Sequence, residues 1–235
     1  MGLRLKPKSK QYIVVGSKTW NRRTYDEIIS HYPGTWTYCS DPAALTLDAL
    51  KKSAPRYIFF LHWSAKIPAK IVELFECICF HMADLPYGRG GSPLQNLLMR
   101  GHRETKISCF RMTHDLDAGP VYMKKPLCLS GNAEEIYIQA DHLAAEMILE
   151  IVELEPEPVP QSGKVAVFHR RRPDESEIPS CKTLENLYDF LRMLDAEGYP
   201  RAFLVHRGFR YELSRPVRYN GKIVADVTIT KEEEM

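Results

Sequence analysis

YIFFLHWSAKIPAKIVELFECICFH, residues 57–81, holds two short apolar runs with a helical stretch between them. Residues 57–61 are apolar without a break, as a strand covered on both faces must be. Residues 68–75 read as a helix, with Pro68 at a position where a missing N–H costs nothing. Residues 77–81 return to strand character and end in His81. Strand, helix and strand at this spacing form a parallel crossover unit.

Working outward, the same alternation repeats. Residues 12–15 (Tyr-Ile-Val-Val) end at Gly16, as a buried strand before a tight turn would. The pattern then predicts a helix over 21–31, with Tyr25, Ile28 and Ile29 on one face. A strand over 35–39 and a helix over 42–52 follow. Downstream, residues 121–129 read as a strand and 132–154 as the longest helix, with Asn132 and Glu135 at capping-box spacing. Ile136, Ala140, Leu143, Met147 and Ile151 recur at its helical period. The fold class expected is α/β, a doubly wound and mostly parallel sheet.

Residues 155–163 (EPEPVPQSG) carry three prolines and no period, and we place a domain boundary there. The expected division is 1–158, followed by a small α+β region over 164–235. That region should contain a strand at 165–169, a helix at 183–194, and paired strands about Gly208 and Asn220-Gly221. The last pair of residues is a hairpin signal. The final five residues are expected to fray.

At 235 residues the chain can bury a full core, and 26% charged with 44% hydrophobic residues is ordinary for a globular protein. A net charge of +2 carries no signature of a polyanion partner, so nucleic acid is not expected. No run approaches the length of a membrane span, and the basic first ten residues lack the apolar core of a secretory signal. The six cysteines lie mostly in apolar runs and are expected to be reduced. A cytoplasmic protein is the expectation.

The chemistry concentrates in residues 81–120, HMADLPYGRGGSPLQNLLMRGHRETKISCFRMTHDLDAGP. His81 and Asp117 stand beside turns that glycine and proline shape. An imidazole titrates near neutrality, and a neighbouring carboxylate fixes its tautomer and stabilises its cation. Such a pair can take a proton from an attacking amine and return one to a leaving nitrogen. Spacing alone equally allows a core histidine and a turn aspartate. Cys77, Cys79 and His81 alternate toward one face, and with His114 they hold zinc-binding atom types, although the spacing reads better as core. Gly88, Gly90 and Gly91 around Arg89 suit either a phosphate cradle or a rigid turn. Arg170, Arg171 and Arg172 suit either phosphates or a solvated strand edge. Trp20 and Asn21 lie at the first strand-to-helix turn, where open α/β sheets place ligands.

Taken together, His81, Leu85-Pro86, Tyr87, Arg89-Gly90, Pro93 and Leu116-Asp117-Ala118-Gly119-Pro120 resemble the formyltransferases that use N10-formyltetrahydrofolate. That family includes methionyl-tRNA formyltransferase, glycinamide ribonucleotide formyltransferase and the sugar N-formyltransferases. The likeness runs over residues 12–152. Phe168 to Pro173, with Ser176 and Ile178, resembles the start of the tail in amino-sugar members.

The resemblance implies a formyltransferase Rossmann-like catalytic domain, with N10-formyltetrahydrofolate as donor and no metal. It makes His81 the proton carrier and Asp117 its partner. It places the pterin against Trp63, Ser64, Lys66 and Ile67, and against Met112, Thr113, His114 and Asp115. The acceptor it implies is a nucleotide-linked 4-amino-4,6-dideoxy sugar, UDP- or dTDP-linked, as in a pseudaminic acid pathway. Lys18, Trp20, Asn21, Tyr87, Arg89, Gly90 and Arg171 are the expected contacts to it. Methionyl-tRNA or an amino acid is the alternative acceptor, and a silent folate- or nucleotide-binding protein is the alternative of another class. A homodimer fits the family pattern. One position departs: where the family carries a catalytic asparagine, two residues before the histidine, this chain has Cys79. A thiol offers no amide donor for a developing oxyanion.

Overall fold

The computed structural model describes residues 10–232. Most of the basic start and the last three residues of the end expected to fray lie outside them. Strands β1 (Gln11–Val15), β2 (Thr35–Cys39), β3 (Tyr57–Leu61) and β4 (Cys77–His81) are joined by helices α1 (Thr19–Glu27), α2 (Leu47–Ser53) and α3 (Ala69–Leu74). After β4 come β5 (Tyr87–Gly90), α4 (Pro93–Met99), β6 (Glu104–Arg111), β7 (Val121–Cys128) and α5 (Ala133–Leu154). The tail holds β8 (Ala166–Phe168), α6 (Leu184–Arg192), β9 (Ala202–His206), β10 (Phe209–Tyr219) and β11 (Lys222–Lys231).

The main sheet has the order β2-β1-β3-β4-β6-β7. Its first four strands pair in parallel, and β6 and β7 are antiparallel additions. Alternate residues feed two cores. Val14, Phe59, Leu61 and Phe80 pack on one side with α5 residues such as Ile136 and Ile148. Val15, Ile58, Phe60 and Cys77 pack on the other with Leu50 of α2 and Ile71 of α3. Continuous apolarity in β3 follows from that two-sided cover.

Several boundaries move for local reasons. α1 starts at Thr19 rather than 21, because Asn21 Oδ1 accepts the Lys18 N–H at 2.9 Å and closes the first turn. It ends at Glu27, and residues 29–31 tighten into a 3-10 turn. α2 starts late because Thr46 Oγ1 caps it through the Ala49 N–H, leaving residues 42–44 as a separate 3-10 turn. Pro68 is the N-cap of α3 rather than its first residue. The capping box of Asn132 and Glu135 forms as expected.

Residues 155–163 are tied to the sheet. Val159 and Val121 exchange backbone hydrogen bonds, each 2.8 Å. β8 pairs in parallel with β5. Phe168, Phe190, Leu191 and Leu194 join the same buried cluster as β1 and α5, so the first part of the tail shares the core of residues 10–154. The remainder forms a three-stranded antiparallel sheet, β11-β10-β9, with its hairpin at Asn220-Gly221.

Candidate functional site

β4 carries His81 to the carboxyl edge of the sheet, where the ring is nearly buried. Nε2 lies 2.7 Å from the Gly88 carbonyl. A carbonyl only accepts, so Nε2 holds a hydrogen and Nδ1 is the ring nitrogen turned toward Asp117. Asp117 Oδ2 stands 3.7 Å from Nδ1, close enough to stabilise the imidazolium that would form.

Asp117 is itself fixed from two sides. Its Oδ2 accepts the Gly90 N–H at 2.8 Å. Gln161 Nε2 donates to the Asp117 and Gly119 carbonyls, both at 2.8 Å, while Gln161 Oε1 accepts two bonds from Arg89. Asp117 adopts a left-handed φ of 50°, which aspartate tolerates better than most residues. Two glycines make the site buildable. A side chain at Gly119 would start 1.7 Å from the Arg111 carbonyl, and one at Gly90 would start 2.3 Å from the Phe168 carbonyl.

Cys79 sits two residues before His81 at the second core. Burial, with the Asp117 carboxylate adding to it, pushes its thiol well up, so the group is a neutral S–H. His114 is exposed and holds Glu73 at 2.9 Å, away from Cys79 and Cys77. Among the described residues no cluster of three or more metal-binding side chains forms.

The loops at 63–67 and 112–115 flank one apolar surface, where Trp63 and Met112 pack on the same core and Ile67 is buried in it. Ser64, Lys66, Thr113 and Asp115 are exposed beside it. The indole N–H of Trp63 is buried with no hydrogen-bond partner. An orphaned donor at an apolar wall suits a flat heterocycle with acceptor atoms.

The residues expected at the acceptor divide. Asn21 is fully buried, and its amide donates to Asp141 at 2.7 Å, so it ties α1 to α5 inside the protein. Trp20 is 4% exposed and stacks on Tyr137 with 5.4 Å between centroids, so it closes the core. Arg89 is spent on Gln161, and Tyr87 bonds His102 and packs on Phe168. Gly90 acts through its N–H on Asp117. Arg171 lies over Phe190 and bonds the Glu175 carbonyl, which leaves its neighbour Arg170 as the cation that reaches the Ser64 carbonyl. Lys18 holds its ammonium 5.1 Å from the Tyr199 ring centroid and 3.5 Å from the Glu197 carbonyl, to which it donates.

Two features escaped the sequence reading. Gln161 lies in the stretch read as a boundary, and no local signal marks it. Asp141, fully buried on α5, pairs with His62 at 3.0 Å. Its signal was available: position 141 falls on the apolar face between Tyr137, Ala144 and Ile148.

An open α/β sheet with an imidazole and a carboxylate paired at the carboxyl edge of its strands is the scaffold observed. Comparison narrows it. A domain described as "Methionyl-tRNA formyltransferase, C-terminal domain" matches residues 173–230. A solved structure titled methionyl-tRNA formyltransferase from Clostridium thermocellum is 44% identical, with TM-score 0.89, covering 94% of this chain and 99% of that one. The methionyl-tRNA formyltransferase of Thermus thermophilus is 29% identical over 175 residues, 72% of this chain and 57% of that protein. This chain thus spans little more than half the length of that curated relative. A 4-N formyltransferase from Francisella tularensis shares the fold at TM-score 0.64 and 16% identity, covering 96% of this chain and 99% of that one. The chain belongs to the formyltransferase family, in its methionyl-tRNA formyltransferase-like branch.

Proposed function

We propose that this protein transfers a formyl group from N10-formyltetrahydrofolate to a primary amine. The observation that carries the reading is the His81–Asp117 pair, with a carboxylate oxygen 3.7 Å from Nδ1. The donor supplies an activated formyl group when bound. Trp63, Ile67 and Met112 would wall its pterin, with the orphaned Trp63 N–H meeting an acceptor atom. His81 Nδ1 takes the proton that the attacking amine releases and returns it to the leaving nitrogen. Asp117 holds the ring and balances its charge, and Gly90 with Gln161 holds Asp117.

For the acceptor we favour a nucleotide-linked 4-amino-4,6-dideoxy sugar, UDP- or dTDP-linked. Lys18 and Arg170 put two cations near Tyr199, which suits a diphosphate. The second reading is a methionyl-tRNA acceptor, favoured by the 44% identical relative of nearly equal length. A mass-spectrometric screen separates them: purified protein and N10-formyltetrahydrofolate are offered amino-sugar nucleotides, free amino acids and methionyl-tRNA. A gain of one formyl group on a sugar nucleotide supports the first reading, and formylation of methionyl-tRNA alone supports the second. Normal folate uptake with no formylated product from any amine marks a silent binding protein and ends the enzymatic reading.

A further inference from the structure

One short strand supplies a backbone contact to each member of the His81–Asp117 pair. Within β5 the Gly88 carbonyl meets His81 Nε2 at 2.7 Å, and two residues on, the Gly90 N–H meets Asp117 Oδ2 at 2.8 Å. A shift of β5 therefore moves the partners of the imidazole and of the carboxylate together. The strand has little stiffness of its own, since Gly88 and Gly90 take φ of 83° and 106°, where glycine is the residue at ease. Its place is set by what ties it down.

On the tail side the tie is β8. The Ala166 N–H reaches the Pro86 carbonyl at 3.3 Å, and the Gly91 N–H reaches the Phe168 carbonyl at 3.2 Å. On the sheet side the tie is a single hydroxyl. Ser108 lies on β6 directly across from His81 in the antiparallel register, and it is 0% exposed. Its Oγ donates to the Ala83 carbonyl at 2.7 Å and accepts the Leu85 N–H at 3.2 Å. Both bonds fall in the turn that leads from β4 into β5. Lys124 of β7 adds a second hold there, on the Leu85 carbonyl and on Asp84. The turn bears on the site by contact: a side chain on Gly88 would start 2.8 Å from the Ala83 Cβ. The residue that Ser108 holds thus lies against the residue that holds His81.

Resting on the formyl-transfer reading above, we infer that Ser108 is a positioning residue for the reaction. Its hydroxyl keeps the Ala83–Leu85 turn in place, and with it the Gly88 carbonyl on His81 Nε2. In a neutral imidazole, a hydrogen on Nε2 leaves the lone pair on Nδ1. Once the Gly88 carbonyl drifts away, the hydrogen can sit on Nδ1 instead, facing Asp117, and that nitrogen then has nothing to offer the proton of an attacking amine. A buried hydroxyl with both of its bonds on backbone touches no substrate, so its removal falls on the chemical step and not on binding.

The test compares wild type with Ser108→Ala and Ser108→Thr, using the acceptor identified by the screen. Ser108→Ala should lose about 10- to 100-fold in kcat, the order that a displacement of about 1 Å costs. KM for the folate and for the acceptor should stay within about twofold. Ser108→Thr keeps the hydroxyl and should retain activity within about threefold of wild type. Ser108→Cys, which fills the same space with a weak donor, replaces the alanine variant if that one does not fold. Nitrogen-15 NMR of the full chain reads the His81 ring without any acceptor: the neutral ring should carry its hydrogen on Nε2 in wild type, and partly on Nδ1 in Ser108→Ala. Unchanged kcat, a loss confined to KM, an equal loss in the threonine variant, or an unaltered His81 tautomer overturns the role of Ser108 while formyl transfer stands. A wild type that formylates no amine takes both readings down.

Discussion

The guanidinium of Arg89 closes on a single oxygen of Gln161, with Nε at 3.0 Å and Nη2 at 2.8 Å. The same glutamine turns its amide to the Asp117 and Gly119 carbonyls. The chain from Arg89 to Asp117 therefore passes through a residue 44 positions away from the aspartate. Gln161→Ala should let the Asp117 loop drift while keeping both side chains of the His81–Asp117 pair chemically intact. The expected loss in turnover is about 10- to 100-fold, since displacement of about 1 Å has costs of that order. Stability should fall by only about 1–2 kcal/mol. Steady-state kinetics beside a denaturation curve checks it; equal loss of activity and of folded protein would make Gln161 a structural residue only.

Removing the proposed proton carrier is a more direct intervention. His81→Ala should cut turnover by about 10²- to 10⁴-fold. Asp117→Asn keeps an oxygen for the Gly90 N–H but deletes the charge opposite Nδ1. It should lower turnover with little change in folate affinity. Rapid-quench measurement of formyl transfer reads the chemical step; near-normal rates in either variant would contradict the assigned roles.

Much of this architecture was legible in the chain. β3 and β4 have the bounds that their apolar runs give, because a buried central strand is written as an unbroken apolar word. β5 was not legible. Tyr87-Gly-Arg-Gly has neither alternation nor β-branched residues, and its partner β8 begins 79 positions later. Long-range pairing of that kind leaves no local period. The site divides in the same way. Glycines beside His81 and Asp117 announced close backbone approach, as Gly90 and Gly119 demonstrate. Which polar residues near Trp20 face a ligand depended on packing between α1 and α5, and there Asn21 turned inward to Asp141.

The cysteines offer a check on the electrostatics. Cys128 is exposed and its thiol is lowered, chiefly by the hydrogen bond with Ser130. Burial raises Cys39, Cys77, Cys79 and Cys109. Brief treatment of native protein with iodoacetamide should therefore label Cys128 first, with Cys79 protected until the protein unfolds. Peptide mapping reads the order, and early labelling of Cys79 would show an accessible, ionised thiol there. Cys79→Asn supplies the missing amide donor beside His81. It should raise turnover, at a cost of about 1–3 kcal/mol for placing a larger polar group in that core.

Acid should unfasten the far end of the sheet at Glu76. Burial pushes this carboxyl up, but the Tyr122 hydroxyl at 2.6 Å and the Arg56 guanidinium at 2.5 Å outweigh it, and the net position is below the ordinary range. A depressed carboxyl contributes stability that is complete above its unfolded pKa, near 4.5, and is lost as pH falls through its lower folded value. Asp84, held low by Lys124 and Lys106 against its own burial, adds to the same acid limb. Glu76→Gln should cost about 1–3 kcal/mol near neutrality. The two denaturation curves should converge once the pH drops below the folded value of the wild-type carboxyl. Urea titrations at a series of pH values measure this; a penalty that persists undiminished in acid would assign the loss to packing against Tyr122 and not to the charge.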